Sequence, residues 1–162
     1  MTPLEVRIVP AVERDTSAIL SLINRLAEYE RLAHEVEATE EDIRESLFGD
    51  WPGAEVVLAY VGADLAGFAL FFQNYSTFLG RRGLYLEDLF VLPAYRGRGV
   101  GRRLLAHLAR LALERKCGRL EWWVLDWNES AIRFYRSIGA RPMDDWTVYR
   151  LDGDALARLA DG

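Results

Sequence analysis

Cysteine and histidine are scarce in this sequence, which limits its redox and metal chemistry. Among 162 residues there is one cysteine, Cys117, and there are two histidines, His34 and His107. A single cysteine excludes an internal disulfide. No cluster of His, Cys and Asp has the spacing of a metal site, so we expect no bound metal and assign these three residues no chemistry.

Long apolar runs and an excess of basic charge are also missing. No segment reaches the roughly 18 apolar residues that a membrane helix needs, and the N-terminal segment MTPLEVRIVPAVERD lacks the apolar run of a signal peptide. The formal net charge of -5 has the opposite sign to that of a general nucleic-acid surface. These features predict a cytoplasmic protein with no membrane or nucleic-acid partner.

No Pro- or Ser-rich stretch offers a linker between domains. Hydrophobic residues make up 51% of the chain and aromatic residues 12%, which is enough apolar surface for a packed core. A chain of this length fits one domain, so we expect residues 1–162 to form a single unit.

The hydrophobic pattern predicts a mixed α/β chain that is rich in strands in its first half. Alternating or apolar runs predict strands at residues 6–10, 56–61, 66–75, 84–92, 120–125 and 147–151. Helical periodicity predicts helices in residues 15–26, 39–47, 99–117 and 128–138, with Asp15 as an N-cap and Gly118 and Gly139 at helix ends. The turn at Gly62 should join the second and third strands into an antiparallel hairpin.

The strongest local signal is a glycine- and arginine-rich loop between the fourth strand and the third helix. It runs Arg96, Gly97, Arg98, Gly99, Val100, Gly101, Arg102. The glycines allow a tight turn with outward N–H groups, which form an anion cradle with the free amides of the helix start. Arginines at a helix N-terminus oppose the helix dipole, and a bound pyrophosphate would offset that cost.

Two other phosphate-binding motifs fit this loop poorly. A dinucleotide-binding loop has the form G-x-G-x-x-G, but Arg102 occupies the third glycine position, and no Gly-Lys-Ser/Thr is present for a P-loop. The remaining alternative is a glycine-rich turn with solvated arginines. The position of the loop, after a strand and before an amphipathic helix, favours phosphate binding.

This loop and several other segments resemble the GNAT N-acetyltransferases, in particular their diamine (spermidine/spermine) acetyltransferase branch. The acetyl-CoA loop of the family has the form Arg/Gln-x-x-Gly-x-Gly/Ala. The other matching segments are residues 26–30 (LAEYE), 84–91 (LYLEDLFV), 127–129 (WNE) and 132–135 (IRFY). The resemblance covers nearly the whole chain. It implies a GNAT fold of the mixed α/β (α+β) class, with a mostly antiparallel central sheet, a V-shaped split, helices on both faces, and a homodimer.

On the cofactor side, the resemblance implies that acetyl-CoA lies in the split of the sheet. It places a β-bulge in the strand before the loop, with the backbone N–H groups of Leu89, Phe90 and Val91 near the thioester carbonyl. The residues alone would fit an ordinary buried strand. The resemblance also assigns Asn128 and Ala131 to the cofactor. Because Arg102 and Ala131 stand where hydroxyl residues are expected, their contacts should come from the backbone.

The resemblance also supplies the catalytic pair. Tyr135 matches the tyrosine that protonates the departing thiolate, a role that suits a phenol with a pKa near 10. Glu87 matches a carboxylate that takes a proton from the amine, through water. Because Glu87 and Asp88 are adjacent on one strand, their side chains should point to opposite faces, and we expect Glu87 to face the acceptor.

Tyr29 and Glu30 match the amine-recognition residues of the family. From the residues alone, the acidic end of this helix could equally be a solvated surface. Trp122 and Trp123 should point to opposite faces of the fifth strand, so that one of them is core and the other can line the acceptor site. All four residues are therefore candidates for substrate binding: Tyr29 and Glu30, and whichever of Trp122 and Trp123 faces the acceptor.

The expected reaction is direct acetyl transfer from acetyl-CoA to a small primary amine, with no covalent intermediate. Thr77 stands where polyamine enzymes have an acidic residue, and the turn at Gly62 is shorter than theirs, so a short diamine or a lysine-like amino acid competes with spermidine. A peptide N-terminus and an aminoglycoside-like amine remain open. A non-catalytic acyl-CoA sensor is a further alternative, against which the presence of both Tyr135 and Glu87 argues.

Overall fold

The structure is a computed structural model that describes residues 5–162. It contains a five-stranded sheet in the order β1-β2-β3-β4-β5. The first four strands pair antiparallel, and β5 lies parallel to β4. The strands are β1 (Val6–Pro10), β2 (Glu55–Val61), β3 (Asp64–Ser76), β4 (Arg81–Val91) and β5 (Leu120–Trp122). This open, mostly antiparallel sheet is the predicted one.

The described residues form five α-helices and divide into two compact units between Trp123 and Val124. The first unit contains α1 (Thr16–Tyr29), α2 (Glu40–Phe48) and α3 (Val100–Glu114). The second unit contains α4 (Glu129–Ser137) and α5 (Gly153–Ala160). No helix in the described part of the chain has both the length and the apolar character to cross a bilayer.

Helices cover both faces of the sheet in the first unit. On one face, α1 and α2 bury their apolar side chains against β2, β3 and β4, in a cluster of Ile19, Leu22, Leu26, Leu47, Val56, Leu58, Phe68 and Phe90. Side chains alternate along a strand, so the buried Val57, Ala59 and Ala69 face the other way. The helix α3, which contacts every strand from β1 to β5, covers that second face.

The end of α3 differs from the prediction. We expected a helix through Cys117 ended by Gly118, but α3 ends at Glu114 and Lys116 takes the left-handed conformation with φ of 59°. The N–H of Cys117 then donates to the carbonyl of Ala112 at 2.8 Å, closing the helix end. Gly118 instead allows the chain to pass close to the β3-β4 turn, since a Cβ there would lie 2.8 Å from Cδ1 of Leu79 in that turn.

The second unit departs further from the prediction. The expected strand at residues 147–151 is absent, and α5 was not predicted. A strand exists only as a hydrogen-bonded partner of another strand, and the second unit offers none. The predicted strand at residues 120–125 is also shorter, ending at Trp122.

A bulge and a divergence shape the middle of β4. Leu70 pairs with Asp88 while the next residue of β3, Phe71, pairs with Leu86, so Glu87 is an extra residue in β4. On its other side β4 pairs with β5 only through residues 84–86. Residues 87–91 therefore continue beyond the last β5 partner, at the place where the split of the sheet is expected. The bulge precedes Leu89 by two residues.

Candidate active site

The bulge brings together carboxylates that simple alternation would separate. We expected Glu87 and Asp88 to point to opposite faces, but the extra residue breaks the two-residue period at this position. Asp88 shares a face with Phe90, two residues later, and therefore with the C-terminal end of α1. The negative charge of Glu87 raises the pKa of Asp88 and also that of Glu30.

Glu30, Glu87 and Asp88 form what we term the acidic cluster. Burial raises the pKa of Asp88 to about 7, with smaller contributions from the charges of Glu87 and Glu30. Burial also raises the pKa of Glu30, helped by Glu87. Among residues 5–162, none of the three carboxylates takes part in an ion pair. Such a group of uncompensated carboxylates favours a cationic ligand.

Aromatic rings border the acidic cluster. The rings of Phe72 and Tyr85 lie 5.0 Å apart, and Trp123 meets Tyr85 edge to face at 5.9 Å. Burial, followed by the charges of Glu87 and Glu121, raises the pKa of the Tyr85 phenol, so the ring lies within the field of the cluster. Trp123, which is 59% exposed, is thus the tryptophan that joins this aromatic group, whereas Trp122 pairs with Leu86 inside the sheet.

The C-terminal end of α1 is tied to the end of β4 by Arg96. The Arg96 guanidinium carbon lies 4.7 Å from the centre of the Tyr29 ring and 5.2 Å from that of Phe90. Its Nε donates to the carbonyl of Val91 at 2.8 Å. Glu30 follows Tyr29 directly as the C-cap of α1. The predicted amine-side pair therefore lies beside a residue that was predicted to bind phosphate.

The glycine-rich loop has the backbone shape that an anion cradle needs. Gly97 and Gly99 take left-handed conformations with φ of 73° and 82°, and Gly99 is the N-cap of α3. No side chain caps this helix start, and the first N–H groups of an α-helix have no partner within the helix. Arginines 98, 102 and 103 belong to this loop and to the first turn of α3, and all three are exposed. The arrangement fits a pyrophosphate.

The hydrogen-bond pattern of β4 identifies the donors available at the split. The N–H of Leu92 donates to Ala66 of β3 at 2.8 Å. Because successive residues of an antiparallel pair alternate in direction, the N–H of Phe90 also faces β3, and those of Leu89 and Val91 face the opposite edge. The bond from Arg96 to the Val91 carbonyl agrees with this alternation. Phe90 instead contributes its ring to the core, where it is 4% exposed.

The second unit holds the remaining predicted site residues. Asn128 is the N-cap of α4, and its Oδ1 accepts hydrogen bonds from Ala131 N and Ser130 Oγ, both at 3.4 Å. The Ala131 N–H thus has a partner within the cap. Tyr135 lies in α4 with its ring 5.7 Å from that of Phe134. The roles of Asn128, Ala131 and Tyr135 toward acetyl-CoA stay predictions.

Sequence reasoning missed three residues of this region: Asp88, Phe72 and Tyr85. Asp88 was set aside because the alternation rule holds only in a strand without a bulge. The signal that could have found Phe72 and Tyr85 is their aromatic character in two neighbouring predicted strands. The structure shows that they are partners in the β3-β4 register. Among the described residues, no group of three or more His, Cys, Asp or Glu side chains is arranged to hold a metal ion.

Comparisons with known proteins agree over most of the chain. Residues 19–140 match the model of the acetyltransferase (GNAT) family. A thialysine N-epsilon-acetyltransferase of Bos taurus is 37% identical, over 96% of this chain and 97% of its own. L-ornithine N5-acetyltransferase NATA1 of Arabidopsis thaliana is 32% identical, over 94% of this chain and 87% of its own. A solved integron cassette protein from the mobile metagenome of V. cholerae superposes with a TM-score of 0.81 at 28% identity, covering 97% of this chain and 98% of its own.

Proposed function

The chain belongs to the acetyltransferase (GNAT) family, and we propose that it transfers the acetyl group of acetyl-CoA directly to a primary amine of a small, lysine-like substrate. The observation that carries the amine assignment is the acidic cluster of Glu30, Glu87 and Asp88, which forms no ion pair with any residue between 5 and 162. An ammonium group would supply the missing positive charge.

The aromatic group suits a substrate with an aliphatic chain. Phe72, Tyr85 and Trp123 offer ring faces beside the carboxylates, against which methylene groups and an ammonium can pack. The names of the curated relatives specify thialysine and ornithine, two amino acids with a terminal primary amine. This favours a lysine-like amino acid over spermidine, in keeping with Thr77 in place of a further carboxylate.

Proton removal from the amine falls to the acidic cluster. An alkyl ammonium has a pKa near 10.4 and must become neutral before its nitrogen can attack. Asp88, with its pKa near 7, is matched to accept a proton at neutral pH. The exposed Glu87 can pass that proton to water. We therefore propose Asp88, together with Glu87, as the proton acceptor.

Different residues stabilise the thioester oxygen and the departing thiolate. The amine nitrogen forms a bond to the thioester carbon, and the negative charge that develops on oxygen is stabilised by the N–H groups of Leu89 and Val91. The carbon–sulfur bond then breaks, and Tyr135 donates its proton to the departing sulfur. The backbone of residues 97–102 holds the pyrophosphate, and Asn128 and Ala131 contact the cofactor from the start of α4.

We also propose that residues 1–162 act as one acetyltransferase domain and that the enzyme is a homodimer. The family match crosses the boundary between the two compact units, which supports the first statement. The second is supported by the resemblance to the diamine acetyltransferase branch. Sedimentation equilibrium on the full chain tests it, and a monomer at micromolar concentration would contradict it.

The deciding experiment measures thiol release from acetyl-CoA with a panel of amines: lysine, thialysine, ornithine, putrescine, spermidine, a short peptide and an aminoglycoside. We expect the highest kcat/KM with an amino acid that has a side-chain primary amine. Preference for a diamine would transfer the assignment to that class. Tight acetyl-CoA binding without thiol release from any amine would instead indicate an acyl-CoA sensor.

A further inference from the structure

Arg96 belongs by sequence to the phosphate-binding loop, yet its side chain contacts the end of α1 and the end of β4, where the predicted amine-binding residues lie. Its guanidinium packs on the rings of Tyr29 and Phe90, at 4.7 and 5.2 Å from their centres. Nε is fixed by the Val91 carbonyl at 2.8 Å. In the described part of the chain, Arg96 forms no ion pair with a carboxylate. Its contacts are therefore with rings and with one backbone oxygen.

The partners of Arg96 belong to two functional elements. Tyr29 is the last residue of α1 and is followed by Glu30 of the acidic cluster. Val91 is the last residue of β4, the strand that carries Asp88 and the proposed carbonyl donors. A side chain that holds Tyr29 and Val91 together fixes the position of Glu30 relative to β4, which carries the other two carboxylates of the acidic cluster.

The chemistry of the contact requires arginine. A planar guanidinium can stack on a ring while its Nε donates sideways to a carbonyl, whereas a lysine ammonium is a single point charge without that geometry. Because Arg96 uses a neutral carbonyl and ring faces, it steadies Glu30 without neutralising it. Arg96 therefore leaves the carboxylates of the acidic cluster available to the substrate.

We propose that Arg96 is a positioning residue for the amine substrate, which holds Tyr29 and Glu30 against the end of β4. The proposal rests on the proposed acetyltransferase function and deepens it. It separates Arg96 from Arg98, an exposed neighbour on the same loop, which is a candidate phosphate ligand.

Kinetics of Arg96→Lys and Arg98→Lys test the proposal, because both substitutions retain the positive charge. For Arg96→Lys we expect the KM of the amine to rise about tenfold, from the loss of one hydrogen bond and the weakening of two ring contacts. The dissociation constant of acetyl-CoA, measured by calorimetry, should stay within about twofold. Arg98→Lys should show the reverse pattern. A weaker acetyl-CoA affinity in Arg96→Lys with an unchanged amine KM, equal changes in both constants, or no change in either would overturn the proposal.

A double-mutant cycle with Tyr29→Leu gives a second readout. If Arg96 acts through Tyr29, adding Arg96→Lys to Tyr29→Leu should raise the amine KM no further than Tyr29→Leu alone does. The same cycle on urea unfolding should show coupling between the two residues whether or not any amine is acetylated. Coupling in unfolding without turnover of any amine by the parent enzyme would refute the proposed function but not the contact, whereas additive effects on the KM would refute the positioning role.

Discussion

Arg115 holds the carboxylate of Glu55 with two parallel hydrogen bonds, 2.7 Å from Nη1 to Oε2 and 2.8 Å from Nη2 to Oε1. The pair joins the C-cap of α3 to the first residue of β2. Bidentate geometry strengthens an arginine–carboxylate pair and fixes its orientation. It therefore connects the helix that follows the glycine-rich loop to the sheet below.

Removing this pair should lower stability modestly and in a pH-dependent way. The Arg115 hydrogen bonds lower the pKa of Glu55, so the pair stabilises the fold above the unfolded carboxylate pKa of about 4.3 and loses this effect as the pH falls through the lower folded value. Both side chains are partly exposed, so we expect Glu55→Gln to reduce the free energy of unfolding by about 0.5–1 kcal/mol at pH 7. Urea unfolding at pH 7 and pH 3 checks this, and an equal loss at both values would contradict it.

Asp88→Asn should stabilise the protein while impairing catalysis. The pKa of Asp88 is raised to about 7, so the folded state retains a proton that the unfolded chain loses near pH 4, and stability falls as the pH rises between these values. The amide cannot ionise, so above pH 7 we expect Asp88→Asn to unfold with a free energy about 1–3 kcal/mol higher than the parent. The gain should vanish near pH 4, below which both states of the parent carry the proton.

The same substitution should alter the pH profile of turnover. In the parent, kcat/KM for the amine should rise with pH through about 7, as Asp88 becomes able to accept a proton. We expect this inflection to disappear in Asp88→Asn. If the variant keeps the inflection, the ionisation belongs to another group, and Glu87 returns as the sole proton acceptor.

Glu30→Gln and Glu87→Gln should weaken the binding of the amine more than that of acetyl-CoA. Each removes one negative charge from the acidic cluster, so we expect the amine KM to rise about five- to tenfold and the acetyl-CoA KM to change less than twofold. Glu28→Gln is the matched control, since Glu28 is an exposed acid at the same helix end but outside the cluster. Equal changes for both substrates would return Glu30 and Glu87 to a surface role.

The position of the bulge shows why part of this site was beyond reach of the sequence. Helical and alternating patterns locate α1 to α4 and the first five strands because burial imposes those periods on the residues themselves. The extra residue at Glu87 depends on how β4 pairs with β3, which is a property of two segments rather than one. The burial of Asp88 and its contact with the charge of Glu30 follow from that pairing.

The secondary structure of the second unit was predicted wrongly for a related reason. Val148 and Tyr149 have high strand propensity, which led to the expected strand at residues 147–151, but propensity does not supply a hydrogen-bonded partner. The short helix α5 has apolar positions at Leu156 and Leu159, three residues apart, and was overlooked because it spans little more than two turns. By contrast, Thr39 was correctly predicted at the start of α2, where it forms a local capping box with Asp42.

Gly99→Val should separate the conformational and binding roles of the glycine-rich loop. Gly99 has a φ of 82°, which a β-branched residue adopts only with strain, so we expect a loss of stability of about 1–2 kcal/mol. Because the same backbone must approach the pyrophosphate, acetyl-CoA should bind at least about tenfold more weakly, measured by calorimetry on the folded variant. An unchanged affinity would refute the assigned site. As a control for folding, Gly101→Ala places its Cβ 3.7 Å from Val91 Cγ2 and should not destabilise α3.

Tyr135→Phe tests the proposed acid directly. Tyr135 lies in α4, which begins after the N-cap Asn128, and the substitution keeps the aromatic ring while deleting only the hydroxyl. The melting temperature is measured alongside, so that a loss of turnover is assigned to the chemistry only in a folded variant. If the phenol donates its proton to the departing thiolate in the transition state, kcat should fall about 100-fold while acetyl-CoA affinity stays within about threefold. Single-turnover measurements with saturating amine isolate the chemical step from product release. A folded variant that transfers the acetyl group at the parental rate under those conditions would remove Tyr135 from the reaction.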